Sequence, residues 1–134
     1  MPTFEDLRAF QHALNLMVEV YTATEHFPKH EIYGLRSQLR RAACSVVSNI
    51  AEGQGRLTYG ERRRLLSDAR GSLYELQAQL IASTKLQFLA IASATYLRNQ
   101  AERTARELDG LILWIRRKEA EAKQARNVSR KPNQ

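Results

Sequence analysis

At 134 residues, 43% hydrophobic and 26% charged, the chain has the composition of one folded domain around a single core, which excludes wholesale disorder and a second core. Twenty-one Lys and Arg against fourteen Asp and Glu give net +7, and sixteen of the cations are Arg, a balance suited to anionic partners. No apolar run reaches the length of a membrane span, the lone Cys44 excludes an internal disulfide or a thiolate metal cluster, and the acidic opening MPTFEDLRAF is no secretory leader, so a cytoplasmic address without membrane contact is expected.

The first helix is predicted to begin at Thr3, whose hydroxyl caps while the Asp6 carboxylate reaches back. Its apolar seam reads Leu7, Phe10, Leu14, Met17, Tyr21 and Thr24, spaced 3, 4, 3, 4, 3, the alternation of a bundle helix. Phe27-Pro28 should end it, because the residue before proline is driven out of the helical region. The second helix lies within Tyr33–Arg56, YGLRSQLRRAACSVVSNIAEGQGR. Leu35, Leu39, Ala42, Val46 and Ile50 repeat at helical spacing with Ala43 and Val47 beside them, and Cys44 among them reads as a buried small hydrophobe. Gly53 and Gly55 offer the positive-φ freedom of a helix stop.

Thr58 with Glu61 reads as a capping box for a third helix, whose seam is Leu66, Ala69, Leu73, Leu76 and Leu80. Gly71 and Ala78 sit seven apart on a second face suited to close approach. A connection over Gln87–Ala92 leads to a fourth helix from Ser93, with Leu97, Ala101, Thr104, Leu108, Leu111 and Ile115 inward. Short connections make this an all-α, antiparallel up-down-up-down four-helix bundle over residues 1–118. Beyond Lys118 the stripe vanishes, so 119–134 is expected to be a polar, basic C-terminal extension, frayed or disordered.

The Tyr33–Arg56 segment, together with Phe4-Glu5-Asp6-Leu7, Phe27-Pro28, Gly71-Ser72-Leu73, Glu75-Leu76 and Gln79-Leu80, resembles the bacterial four-helix-bundle proteins first described as encoded by intervening sequences in 23S ribosomal RNA genes. The likeness spans roughly Phe4 to Leu89, and it extends distantly to the accessory variability determinant proteins of diversity-generating retroelements. It departs at Val47, where the family pattern has proline; the retained amide donor argues for a straighter helix. The resemblance implies a homo-oligomer, a ring-like or barrel-like pentamer with a basic surface, and a reverse-transcriptase or other nucleic-acid-processing protein as a partner.

Catalytic chemistry finds little footing, and the chain is expected not to be an enzyme and to carry no cofactor. His26 and His30, with Glu25 and Glu31, flank a proline that prevents the one-turn spacing of a helical metal site, so no metal is expected. GQGRLTYG lacks the Lys-Ser/Thr of a phosphate loop, and no Glu-x-x-His pair exists for a di-iron site. Ser45, Asn49 and Glu52 share a face of the second helix and read as internal polar contacts and a charge partner for an Arg.

Net charge is −3 over residues 1–33, +4 over 34–75 and +6 over 76–134. Arg116, Arg117 and Lys118 fit a helix C-terminus, where the backbone dipole favours cations. Arg62, Arg63 and Arg64 lie one turn after a cap, where the dipole disfavours them, so acids on a neighbouring helix or subunit, or phosphates, must hold them. With Arg36, Arg40, Arg41 and Arg56 they are the candidate ligands of an RNA or DNA backbone. The function expected is that of a non-enzymatic, oligomeric accessory protein binding nucleic acid; the alternative is a structural scaffold or protein-partner adaptor with no direct nucleic-acid binding.

Overall fold

The computed structural model describes residues 3–130; Met1, Pro2 and residues 131–134 of the predicted extension lie outside them. Four helices carry the chain: α1 (Arg8–Ala23), α2 (Leu35–Gly55), α3 (Tyr59–Lys85) and α4 (Ile91–Arg130). Each packs on its two neighbours in the cyclic order α1, α2, α3, α4, and the diagonal pairs do not meet. Cross-helix bonds fix the directions. On α2 and α3, Ser45 pairs with Ser72 and Arg41 with Glu75; on α3 and α4, Arg63 pairs with Glu119 and Gln77 with Glu102. On α1 and α4, His12 pairs with Glu107 and Glu19 with Tyr96. Numbers rise on one helix as they fall on the next, so neighbours run antiparallel.

The Thr3–Asp6 capping box forms, with Thr3 N donating to Asp6 Oδ2 at 2.9 Å, but it closes a single 3-10 turn, Phe4–Asp6. Leu7 is extended, and α1 starts only at Arg8. That helix also ends early, at Ala23, ahead of Phe27-Pro28. The Thr24 hydroxyl bonds back to the Val20 carbonyl at 2.8 Å, and the chain then turns so that buried Phe27 meets the Phe88 ring at 5.8 Å.

The buried seam of α1 differs from the expected one. Ala9, Ala13, Leu16 and Val20 are inward, each one residue before Phe10, Leu14, Met17 and Tyr21. One residue is about 100° of helix rotation, so Leu14 and Tyr21 stand 38% and 39% exposed while Phe10 and Met17 flank the core. Both series have bundle spacing. Alanines let neighbouring backbones approach, whereas hydrophobicity alone favours the bulkier series.

In α2 the expected stripe is buried, from Leu39 through Ala42, Ala43 and Val46 to Ile50, and the helix runs unbroken through Val47. The glycines act differently from expectation: neither Gly53 nor Gly55 has positive φ, and both are helical. Gly53 is buried at the α2–α3 crossing, where a Cβ would lie 3.3 Å from Leu65 Cβ and 3.5 Å from the Arg62 carbonyl. It permits close approach.

Thr58 Oγ1 accepts from Glu61 N at 3.2 Å, the half of the predicted box that forms. The α3 seam is buried as expected, extended by Leu65, Gln79 and Ser83. Gly71 and Ala78 are exposed, and nothing within the chain approaches Gly71. After a turn with Gln87 at φ 62°, α4 buries Ala94, Leu97, Ala101, Thr104, Ala105, Leu108, Ile112 and Ile115. It then continues as helix to Arg130, where a frayed extension was expected. Ala, Glu, Lys, Gln and Arg dominate that stretch, and all are good helix formers.

Candidate nucleic-acid interface

The seven arginines singled out from the sequence form two groups rather than one patch. Arg36, Arg40 and Arg41 lie at the start of α2; Arg56, Arg62, Arg63 and Arg64 surround the α2–α3 turn. The length of α2 separates them, about 30 Å from Arg36 to Arg56 at 1.5 Å per residue.

In the first group, Arg40 is anchored to α1. Its Nε donates to Thr24 Oγ1 at 2.9 Å, its Nη2 to the Tyr21 carbonyl at 3.1 Å and to Glu25 at 3.4 Å, and its guanidinium lies 4.4 Å from the Tyr21 ring centroid. Arg36 reaches the same Glu25 at 3.9 Å, and Arg41 meets Glu75 of α3 at 3.7 Å. Beside them the Tyr21 hydroxyl and Cys44 Sγ are 3.4 Å apart, and the thiol is half-buried rather than sealed in the core. That hydrogen bond raises the Tyr21 pKa above the usual 10.0.

In the second group, the holders of the α3 arginines are protein groups. Arg63 donates to both oxygens of Glu119 on α4, at 3.2 and 3.4 Å; Arg64 lies 3.8 Å from Asp68; and Arg62 Nε donates to the Arg56 carbonyl at 2.8 Å. Arg56 itself bonds Glu52, one turn earlier. Six of the seven thus have carboxylate partners. Such solvent-facing pairs are worth about 0–1 kcal/mol each, so a phosphate can compete for them. The polar trio of α2 sits nearby: Ser45 Oγ is 3.0 Å from Ser72 Oγ of α3, Asn49 Nδ2 donates to Ser45 at 3.1 Å, and Glu52 holds Arg56.

The α4 cations stand in a different setting from the helix C-terminus and frayed extension expected for them. Arg116, Arg117 and Lys118 lie mid-helix, because α4 continues at least to Arg130, so the C-terminal dipole does not account for them. Lys118 pairs with Glu121, whereas Arg116, Arg117, Lys123, Arg126 and Arg130 have no carboxylate within ion-pair distance among the described residues. Arg63, Arg116, Glu119, Ala120 and Lys123 line a concavity of about 330 Å3 between α3 and α4. The signal available in the sequence was the spacing Arg116, Lys123, Arg130, seven apart, visible only once the segment is known to be helical.

Other constellations stay structural in geometry. His12 Nδ1 lies 2.7 Å from Glu107 Oε2 across the α1–α4 seam, and His30 stands edge-on to Phe88 at 6.1 Å. Among the described residues, no group of three His, Cys, Asp or Glu side chains is placed to hold a metal, and no helix is long and apolar enough to cross a membrane.

A sequence model described as 23S rRNA-intervening sequence protein matches residues 5–110, most of the chain and all but the end of the bundle. The chain belongs to that family. Among solved structures, the bundle of this intervening-sequence protein is similar to a protein of unknown function of the S23 ribosomal protein family from Bacteroides thetaiotaomicron. Their TM-score is 0.70 at 15% identity, covering 78% of this chain and 94% of that one, a likeness of fold. No curated protein matches the chain. The family match ends before Leu111, so the cationic end of α4 lies outside it.

Proposed function

We propose that this intervening-sequence family protein binds nucleic acid without catalysing a reaction, acting as an accessory protein that neutralises phosphates with an arginine-rich surface. The observation that carries it is the set of free cations on α4, Arg116, Arg117, Lys123, Arg126 and Arg130, beside the turn that holds Arg56, Arg62 and Arg63. With net +7 on the chain, such a surface attracts a polyanion from any direction, and arginine adds bidentate contacts on arrival. Binding is expected to be weakly sequence-specific and strongly salt-dependent, with a log–log slope of about 0.9 for each phosphate the protein neutralises. Anisotropy of a labelled oligonucleotide across a salt series checks this, first with the native chain and then with Arg62, Arg63 and Arg64 all changed to Glu. Absence of binding at about 50 mM salt removes the function, and an unchanged slope in the variant removes those three residues from the surface.

Self-association is a second, compatible reading, favoured by apolar side chains that the bundle leaves outside. Leu14, Val18 and Tyr21 form an exposed stripe on α1; Tyr74 and Ile81 form another on α3, diagonal to it. Two unlike faces on opposite sides favour head-to-tail contacts, which close into a ring, and five copies is the number the resemblance implies. A ring would link several modest basic surfaces into one avid array. Light scattering of native protein and of Val18→Glu tests it; a native monomer at high concentration eliminates the reading.

A further inference from the structure

We infer that the C-terminal arm of α4, from Arg116 to Arg130, docks in the major groove of double-helical DNA; the inference rests on the nucleic-acid reading above and names the binding element and the form of its ligand.

The geometry begins with register. Arg63 of α3 lies opposite Glu119, so Tyr59, the first residue of α3, is level with Lys123. Beyond that level α4 has no helix beside it, and every residue from Lys123 to Arg130 is exposed. From Arg116 to Arg130 the arm is about 21 Å long at 1.5 Å per residue, and about the last 10 Å of it, from Lys123, projects past α3. At 100° per residue, Glu119, Lys123, Arg126 and Arg130 fall within about 60° of the direction marked by Leu108, Ile112 and Ile115. The side of α4 that is apolar inside the bundle therefore becomes cationic where the bundle stops. Its charge faces the space above the bundle end, beside the turn carrying Arg56 and Arg62.

The chemistry of the arm selects the occupant. Its apolar residues are three alanines and one valine, of which Ala122, Ala125 and Val128 share one side, so it has little bulk with which to hold a protein surface by hydrophobic burial. It carries no aromatic ring, so it offers nothing on which unpaired bases stack. Its two acids are already neutralised, Glu119 by Arg63 and Glu121 by Lys118, which leaves a net cationic rod. A helix about 10–12 Å across matches the B-form major groove, about 12 Å wide, whereas the A-form groove of RNA is too narrow to admit it. Within that groove the cations meet flanking phosphates, and Asn127, on the Arg116 and Lys123 side, is of a residue type that pairs with adenine edges.

The test uses the full chain and the variant Lys123→Gln, Arg126→Gln, Arg130→Gln, whose replacements keep helix propensity; unchanged circular dichroism certifies the fold. Anisotropy is measured with one mixed sequence as DNA duplex, RNA duplex and single strand. The expected result is tightest binding to duplex DNA, a salt slope about 2.7 shallower in the variant, and a loss of about 500-fold near 0.1 M salt. Native affinity in the variant overturns the arm while leaving phosphate binding intact. RNA duplex or single strand bound as tightly as duplex DNA overturns the groove. Failure of the native chain to bind any of the three overturns the functional reading itself.

Discussion

Gly53 offers a sharp test of how α2 and α3 meet. A methyl group added there would sit 3.3 Å from Leu65 Cβ and 3.5 Å from the Arg62 carbonyl, at or inside the lower edge of the roughly 3.5–4.0 Å range in which carbon atoms attract. Replacing a mid-helix glycine by alanine normally gains about 0.5–1 kcal/mol, whereas forcing extra atoms into a packed contact costs about 1–3 kcal/mol. Gly53→Ala should therefore destabilise by about 0.5–2 kcal/mol, and Gly53→Val, with two further methyls and a β-branch, by more. Gly110→Ala is the matched control: it is mid-helix and exposed, with nothing within 4 Å of its Cβ position, and should gain about 0.5–1 kcal/mol. Thermal unfolding reads both, at about 3–4 °C per kcal/mol for a chain of this length. A Gly53→Val protein as stable as the native one would refute the close crossing. Gly71→Ala extends the test, because its Cβ position is equally open within the chain; a loss of stability there would mean that a second copy covers the α3 face.

The rotation of α1 predicts that Ala13→Leu, at a position 1% exposed, destabilises by about 1–3 kcal/mol, while Leu14→Ala, one residue along, costs less than about 1 kcal/mol. Urea unfolding of the pair decides it, and the reverse ranking would restore the seam through Leu14. The tyrosines predict an alkaline signature. Tyr96 is raised above 10.0 by its hydrogen bond to Glu19, as Tyr21 is by Cys44. In each case the folded protein holds the phenolic proton more tightly than the unfolded chain does. The stability this contributes is fully present below pH about 10 and is lost as pH rises through the raised values. Phenolate absorbance should show Glu19→Gln returning Tyr96 toward its ordinary titration, and an unmoved curve would contradict the Glu19 bond.

Much of the candidate surface was readable only in part. The arginines of α2 and α3 were visible as an excess of cations placed against the helix dipole, and the need for something to hold Arg62, Arg63 and Arg64 followed from that placement. Their partners did not follow, because Glu119 lies 56 residues from Arg63 in sequence and comes beside it only when α3 and α4 pair. The α4 arm was hidden for the opposite reason. A polar stretch without an apolar stripe reads as disorder, yet its helix formers continue a helix already nucleated by the bundle, so propagation needs no new nucleus.

By itself the sequence determined four helices, their all-α class, the inward faces of α2 and α3 and most of that of α4, where Ile112 is buried and Leu111, expected inward, is half-buried. Tertiary structure decided the rest. It chose the alanine seam of α1 over the bulkier one, because small side chains allow α1 to lie close to its neighbours. It made Gly53 a point of contact rather than a helix stop. It divided seven arginines between two ends of a hairpin and carried Arg126 and Arg130 of α4 beyond the bundle end. Each of these depends on residues distant in the chain, which composition and spacing do not encode.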